Sequence, residues 1–146
     1  MHFEIATPEK VIYKAEIDKL SVDTEMGQIT ILPGHIPLVA SLVPGEMTIV
    51  SGSKSEPYAV TGGFIEVRAG DKVVILADAA EHVREIDEKR AKEASERAKK
   101  AMEGLHVDDV KFAEASAALE RSLSRLRIAR KHSHIRRTSQ NFSEGQ

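Results

Sequence analysis

Residues 64–78 read FIEVRAGDKVVILAD, two short apolar runs joined by Ala-Gly-Asp at 69–71. In the first run, Ile65 and Val67 point to one side of an extended chain, and the charged residues beside them point to the other. A short link that contains glycine suits the tight turn of a β-hairpin. The stretch therefore predicts two antiparallel strands with one buried face.

Short runs of the same kind extend back along the chain, from Asp78 to Phe3. Glycine and proline separate them at intervals of roughly 8 to 12 residues, which is typical of all-β sandwiches. Seven of the nine glycines lie in this half of the chain. The clearest runs are VIYKAEI, KLSVDT, QITIL, EMTIV, YAV, FIEVRAG and KVVILAD. The sequence thus predicts a β-sandwich here.

The periodicity changes after Asp78. Residues 86–104 are rich in Ala, Glu, Lys and Arg and contain no proline, a composition that favours an α-helix. Gly104 is expected to end this helix. Small residues recur at spacings of three and four, which would let a second helix approach closely. They are Ala91, Ala94, Ala98 and Ala101, followed by Leu105.

A second helix is predicted to begin after Asp108 or Asp109, either of which can cap its first turn. The short connection over residues 106–109 favours an antiparallel helical hairpin. Residues 133–146 are polar with few apolar anchors, and we expect a flexible tail there. The apolar seam of the second helix comprises Phe112, Ala115, Leu119, Leu123 and Leu126.

The bulk composition narrows the class of protein. The chain has 146 residues, of which 41% are hydrophobic and 30% charged, and its net charge is -2. This net charge gives no overall attraction to nucleic acid or anionic lipid, and we expect no nucleic acid partner. Cysteine is absent, which excludes disulfides, thiolate metal sites and a cysteine nucleophile. No stretch approaches the roughly 18 apolar residues of a membrane span, so we expect no direct insertion into a membrane.

No catalytic or metal-binding motif stands out. The six histidines are scattered apart from His132 and His134, and two histidines near a basic segment are more often solvated than metal ligands. Residues 52–55, GSKS, lack the preceding glycine and the following helix of a phosphate-binding loop. The sequence therefore predicts no catalytic residue and no metal site.

The loop PGHIP at residues 33–37 is more informative. Its two prolines restrict the backbone on either side of Gly34, so His35 is expected at the tip of a rigid loop. Periodicity leaves two interpretations open, a well-defined turn and a recognition loop with an exposed imidazole.

Basic residues accumulate along the second helix and its extension. The helix macrodipole accounts for only a few of them near the helix end. The excess favours a docking surface for an acidic partner segment, because nucleic acid binding would require aromatic residues and a basic net charge that the chain lacks. The residues are Arg121, Arg125, Arg127, Arg130, Lys131, Arg136 and Arg137.

Together, these features resemble the ε subunit of bacterial F-type ATP synthase. The resemblance covers about residues 1–131 and implies an N-terminal ten-stranded β-sandwich followed by a C-terminal antiparallel two-helix hairpin. It is most specific over GQITILPGHIPLVASLVPGEM at 27–47, GGFIEVRAGDKVVILADAAEH at 62–82 and EIDEKRA at 85–91.

The resemblance also implies a division of the chain and a set of contacts. The expected domains are the sandwich over 1–84, a regulatory hairpin over 85–132 and the flexible tail over 133–146. The sandwich is expected to bind the γ subunit and the ring of c subunits in the rotating central stalk. There it would help to couple proton translocation to ATP synthesis without catalysing a reaction itself. The turn Met26-Gly27-Gln28 and the loop around His35 resemble the edge that meets the c ring and γ.

The hairpin of this family acts as a brake, and the resemblance extends that role to this chain. In its extended form, the hairpin reaches the α and β subunits and inhibits ATP hydrolysis; in its folded form, it permits hydrolysis. The implied location is peripheral, on the cytoplasmic face of the cell membrane. The surface expected to contact the β subunit comprises Arg121, Arg125, Arg127, Arg130 and Lys131.

Some family members bind ATP through the pattern Ile/Leu-Asp-x-x-Arg-Ala, and residues 86–91, IDEKRA, match it. The resemblance implies that carboxylates accept from the adenine amino group and that arginines of both helices hold the phosphates. ATP would be a regulatory ligand and not a required cofactor; the need for Mg²⁺ is open, and so is a purely structural role for the signature. The implied set is Glu81, Ile86, Asp87, Arg90, Ala91, Arg97, Arg121 and Arg125.

A second class of function stays open at this point. A free-standing β-sandwich that binds a sugar or a peptide, with the helices as a dimerisation handle, would show the same periodicities. Co-purification with the γ, α and β subunits would distinguish the rotor subunit from such a binding module.

Overall fold

The computed structural model describes residues 1–143, with side chains described for residues 1–135. The chain divides into two compact units, Met1–His82 and Val83–Gln146. The first unit is built of strands and the second of helices, which confirms the predicted fold class. The division falls after His82, slightly earlier in the chain than the boundary expected after residue 84.

The described residues of the first unit form nine strands. They are β1 (His2–Ala6), β2 (Val11–Glu16), β3 (Lys19–Thr24), β4 (Gly27–Ile31), β5 (Leu38–Ser51), β6 (Lys54–Val60), β7 (Gly63–Arg68), β8 (Lys72–Ala77) and β9 (Ala80–His82). The count differs from the ten expected because β5 is one continuous strand of 14 residues that makes two sets of pairings. Its first part, Leu38–Leu42, pairs with β7, and its second part, Gly45–Ser51, pairs with β6.

β5 therefore joins the two layers of the sandwich. One layer has the order β2-β1-β8-β7 and continues into the first part of β5, with β1 and β8 parallel. In the other layer, the second part of β5 lies between β3 and β6, with β4 beyond β3 and β9 beyond β6. The hairpin predicted from residues 64–78 is confirmed as β7 paired antiparallel with β8.

The inward-facing residues of both layers form one hydrophobic core, because successive side chains of a strand point to opposite faces. In β7, Ile65 and Val67 are buried, whereas Phe64 is 55% exposed. The largest fully buried side chains come from both layers and include Phe3, Ile5, Leu20, Ile31, Met47, Ile49, Ile65 and Ile75.

The helical unit consists of a 3₁₀ turn, Val83–Glu85, and the helices α1 (Glu88–Met102) and α2 (Val110–Ser143). α1 ends before Gly104, whose φ of +74° suits a residue without a Cβ, as predicted. α2 begins after Asp109, whose Oδ1 accepts a hydrogen bond from the backbone N–H of Lys111 at 3.3 Å. Of the two predicted capping residues, Asp108 and Asp109, it is therefore Asp109 that caps α2.

The seam between the helices differs from the predicted one at two positions. Leu123 is 42% exposed, whereas its neighbour Ser122 is 7% exposed and continues the buried side of α2. In α1, Ala101 is exposed and Ser95 is buried. Apolar character was therefore a poor guide to burial here, because small serine side chains let the two helices pack closely.

The backbone of α2 is helical as far as Ser143, into the segment 133–146 for which a flexible tail is predicted; the flexibility itself stays a prediction. Neither proline nor glycine interrupts the sequence between His132 and Gly145. Extending an existing helix is far easier than starting one, so its polar residues continue the helix. Residues 144–146 lie outside the described part of the chain.

Candidate functional site

Asp87 and Arg90 of the predicted ATP signature interact with each other. The Asp87 carboxylate caps α1, since its Oδ1 accepts a hydrogen bond from the backbone N–H of Arg90 at 3.1 Å. The Arg90 guanidinium Nε lies 3.9 Å from Oδ2 of the same carboxylate. Both side chains are mostly exposed, whereas Ile86 is half-buried and Ala91 is fully buried. The signature therefore has a structural role at the start of α1.

The arginines of α1 lie beside its buried seam. Arg90 immediately precedes Ala91, which is 0% exposed, and Arg97 immediately precedes Ala98, which is 6% exposed. One residue corresponds to a rotation of about 100° around the helix axis. Both arginines therefore lie on the same side of the seam.

The arginines of α2 are also displaced from the buried seam in the direction of the preceding residue. Arg121 precedes the buried Ser122. Arg125 is four residues further on than Arg121 and lies between the buried Ser124 and Leu126. Four residues correspond to a rotation of about 40° beyond a full turn, so Arg125 lies on the same side of α2 as Arg121. α1 packs along α2, and in an antiparallel pair equal offsets from the seam fall on the same flank. This geometry assigns one surface, the arginine flank, to Arg90, Arg97, Arg121 and Arg125.

The other predicted basic residues of α2 lie elsewhere on the helix. Arg127 and Arg130 come six and nine residues after Arg121. At about 100° per residue, they are turned about 240° and 180° around the helix, away from the arginine flank. Arg127, Arg130 and Lys131 are exposed. The structure thus separates two surfaces that the sequence grouped together.

Glu81 is the one member of the predicted ATP set in the sandwich unit. It is the central residue of β9 and lies opposite Ala59 of β6. Its side chain is half-buried.

The turn between β3 and β4 presents the first of the two predicted rotor contacts. Met26 is 92% exposed at its tip, and Gly27 has a φ of +102°. Gln28 is exposed and donates a hydrogen bond from Nε2 to Oδ1 of Asp23 at 3.2 Å. A carboxylate therefore lies beside this glutamine.

The PGHIP loop is hydrogen-bonded to a neighbouring turn, and its histidine is less exposed than Ile36 beside it. Asp71 accepts a hydrogen bond from the backbone N–H of Gly34 at 2.6 Å, which ties the loop to the β7–β8 turn. His35 is half-buried, and its Nδ1 lies 2.7 Å from the carbonyl oxygen of Ile36. Ile36 is 75% exposed. This loop and the Met26 turn lie at opposite ends of β4, so they do not form one continuous surface.

An apolar surface on the outer side of the sandwich is a feature that the sequence analysis missed. Val39, Phe64 and Leu76 are 69%, 55% and 53% exposed. They lie on adjacent strands, since Phe64 is opposite Leu76 and Val39 is opposite Glu66. We call these three residues the outer apolar face; a shallow cleft of about 300 Å³ lies beside them. The run Val73–Leu76 could have indicated this face in the sequence, because it is apolar at the outward-facing positions of the strand as well as at the inward-facing ones.

Polar side chains cluster at the rim of the sandwich between β2 and β6. The Tyr13 hydroxyl donates to Oε2 of Glu56 at 3.2 Å, and the Lys54 ammonium lies 2.7 Å from Oε1 of the same carboxylate. The hydrogen bond from Lys54 holds the pKa of Glu56 below its usual value against the opposing effect of burial. Burial, assisted by the charge of Glu56, raises the pKa of Tyr13.

Neither a metal centre nor a membrane-spanning segment is evident in the part of the chain that the structure describes. No three side chains of the metal-binding types converge there. Within the same residues, no helix combines the length and the apolar composition needed to cross a membrane.

Comparison with protein families gives two matches that follow the division of the chain. Residues 1–83 match the beta-sandwich domain of the ATP synthase delta/epsilon chain. Residues 84–130 match the long alpha-helix domain of the same chain.

Individual relatives match over most of their length. An ATP synthase epsilon chain from Halalkalibacterium halodurans is 42% identical over 129 residues, covering 88% of this chain and 96% of the relative. One from Chloroflexus aggregans is 42% identical over 140 residues, covering 95% and 99%.

Two solved structures are similar in fold. A chain of the Euglena gracilis mitochondrial ATP synthase, from a structure of its OSCP/F1/c-ring, gives a TM-score of 0.74 at 25% identity over 85% of this chain and 78% of that one. A chain of the Tetrahymena thermophila mitochondrial ATP synthase gives a TM-score of 0.56 at 20% identity over 90% and 94%, which bears on the fold alone.

Proposed function

The chain belongs to the epsilon-chain family of ATP synthase, a non-catalytic subunit of that complex. We propose that it serves in the rotating central stalk of an F-type enzyme. In this role it binds the γ subunit and the c ring and helps to couple proton translocation to ATP synthesis. The observation that carries the proposal is the outer apolar face of the sandwich.

The outer apolar face fits a stable protein partner. Apolar residues scattered singly over a surface are ordinary, but neighbouring large side chains on adjacent strands mark an interaction site. Val39, Phe64 and Leu76 form such a group, and the adjoining cleft can receive a partner side chain. We assign this face to γ, because a rotor subunit must stay attached to γ while the stalk turns. The separate Met26 turn is then available to the c ring.

Binding to purified γ tests this assignment. Replacing Phe64 with serine removes a large apolar contact and should weaken binding at least about tenfold, since burial of such a side chain contributes about 1.5–3 kcal/mol. Val110→Ser is the matched control, because Val110 is 73% exposed but lies at the start of α2. Equal affinity of wild type and Phe64→Ser, measured by calorimetry, would refute the assignment.

The helical unit is the regulatory part of the proposal. In its extended form, it contacts the α and β subunits and inhibits ATP hydrolysis, with Arg127, Arg130 and Lys131 facing an acidic segment of β. Exposed ion pairs contribute only about 0–1 kcal/mol each, so they bias the hairpin and do not lock it. The small seam residues support this role, because packing through Ala91, Ser95 and Ser122 buries little apolar area and lets the helices separate.

ATP is the proposed ligand of the folded hairpin. The arginine flank supports this idea, because four guanidinium groups on one surface concentrate positive charge and can each donate charge-assisted hydrogen bonds to a polyphosphate. A ligand that binds only the folded form favours that form by mass action. Arg121 and Arg125 would then serve ATP in the folded hairpin and the β subunit in the extended one.

The proposed location follows from these partners. A subunit held by γ and the c ring is peripheral and lies on the cytoplasmic face of the membrane that contains the ring.

A further inference from the structure

β9 is the shortest strand of the sandwich and lies at the edge of its layer. It comprises only Ala80–His82 and pairs with β6 on one side. An edge strand this short has few backbone hydrogen bonds, so its side chains decide how firmly it is held. His82 is also the last residue of the sandwich unit, and the helical unit begins at Val83.

The imidazole of His82 packs against the aromatic core of the rim. Its ring centroid lies 5.1 Å from that of Tyr58, with 73° between the ring planes. Tyr58 is the register partner of His82 on β6 and is only 8% exposed. The Tyr13 ring of β2 also packs against Tyr58, at a centroid distance of 6.0 Å.

An acidic side chain faces the same space. Glu56 lies two residues before Tyr58 on β6, so it points to the same face of the sheet and is a diagonal neighbour of His82. Its side chain is 19% exposed. The pKa of Glu56 is lowered chiefly by the hydrogen bond from Lys54, against the opposing effect of burial, and to the smallest extent by the charge of His82.

We propose that His82 is a pH-sensitive clasp that holds β9 against β6. A protonated imidazole is attracted to the Glu56 carboxylate, so the clasped strand binds the proton more tightly than the released strand does. The clasp is therefore firmest below the pH range in which the imidazole titrates, and it weakens as pH rises through that range.

The other charged groups around His82 limit the size of the effect. Lys54 of β6 repels a protonated imidazole and already pairs with Glu56, and Arg84, two residues after His82, carries a further positive charge. Glu81 precedes His82 on β9 and therefore points to the opposite face of the strand. The hydroxyl groups of Tyr13 and Tyr58 stay neutral at these pH values. The net attraction is that of one cross-strand pair of opposite charges, enough to change the equilibrium about two- to fivefold.

Release of β9 would lengthen the connection between the two units. Three more residues of free chain add up to about 10 Å of reach at roughly 3.3 Å per residue. The regulatory meaning of this change rests on the proposed function, since a longer connection gives the inhibitory hairpin more freedom to extend as pH rises.

Amide hydrogen exchange of the isolated full chain, followed by NMR, tests the clasp. The protection factors of the Ala80–His82 amides should be about two- to fivefold higher near pH 5.5 than near pH 8. His82→Gln and Glu56→Gln should each abolish this difference. His35→Gln is the matched control and should retain it, because His35 lies in the β4–β5 loop.

Two outcomes would overturn the clasp. One is the absence of any pH dependence in the wild-type protection factors of β9, and the other is an unchanged dependence in both His82→Gln and Glu56→Gln. The measurement involves no ATP hydrolysis and no partner subunit. Its failure would therefore leave the proposed rotor function and the inhibitory hairpin untouched.

Discussion

Gly63 shows how one residue fixes the geometry of the sandwich. Its φ of +117° is one that side chains rarely adopt, and a Cβ there would lie 2.0 Å from the carbonyl oxygen of Leu76. It begins β7 and is paired on both sides, opposite Leu42 of β5 and Ala77 of β8. Any side chain would push these strands apart beneath the outer apolar face.

Gly63→Ala should therefore destabilise the sandwich by about 3 kcal/mol or more, from the combined cost of the strained backbone and the steric clash. Gly52→Ala is the matched control, because Gly52 also has a positive φ, +58°, but nothing lies within 4 Å of its added Cβ. It should cost only about 1 kcal/mol. Urea unfolding followed by tyrosine fluorescence measures both, since the two tyrosines, Tyr13 and Tyr58, lie in the sandwich. Equal destabilisation would contradict the steric account.

At the level of the element, two buried serines of α2 differ in whether their hydroxyl groups make a hydrogen bond. The Ser122 hydroxyl donates to the carbonyl oxygen of Ala118 at 2.8 Å. Ser124 is 3% exposed, and its hydroxyl has no hydrogen-bond partner among the described residues. A buried hydroxyl without a partner is destabilising, because it has lost its bonds to water.

Ser124→Ala should stabilise α2 by about 1 kcal/mol, since it removes the unsatisfied group and adds helix propensity. Ser122→Ala should have a smaller effect, because the lost hydrogen bond offsets the gain in propensity. Thermal unfolding followed by far-UV circular dichroism compares the two. A destabilised Ser124→Ala variant would mean that the hydroxyl does have a partner.

The proposed ATP site belongs to the folded pair of helices, because the arginine flank combines residues of α1 and α2. Calorimetry of the isolated chain should detect ATP binding, and Arg121→Ala should weaken it about tenfold or more, as expected for a lost charge-assisted hydrogen bond. Asp87→Ser should also weaken it. This change keeps a capping side chain at the start of α1, so it separates the carboxylate's role toward adenine from its role as a cap.

Arg127→Ala is the control for the nucleotide site, since Arg127 is turned away from the arginine flank and should leave ATP binding unchanged. No heat at millimolar ATP, or equal binding by wild type, Arg121→Ala and Asp87→Ser, would exclude the site.

The sequence predicted these elements unevenly, for physical reasons. Alternation located β7, because it has one buried face, whereas β8 was located as the apolar run that follows the Ala-Gly-Asp turn. Glycine marked the end of α1. The strand β9 was missed because three residues are too few to show a period. The exposed Leu123 and the buried Ser122 were interchanged, since a seam of small residues is set by how closely the helices approach.

On the scale of the whole molecule, two units with different kinds of packing serve two proposed roles. The sandwich has one continuous apolar core within residues 3–77, which suits a permanent attachment to the rotor. The helical unit is held through small side chains, which suits a part that changes conformation. The sequence predicted this division because the periodicity changes after Asp78, but it could not locate the outer apolar face, which depends on which strands are neighbours.

In the proposed function, the helices are a detachable brake on a sandwich that folds without them. The most direct test is the ATP hydrolysis rate of the reconstituted ATP synthase whose epsilon chain is truncated after Glu85. We expect the complex to assemble, because the core of the sandwich is complete without the helices, and its hydrolysis rate to rise severalfold above that of the full-length complex. An intact complex with an unchanged hydrolysis rate would contradict this account.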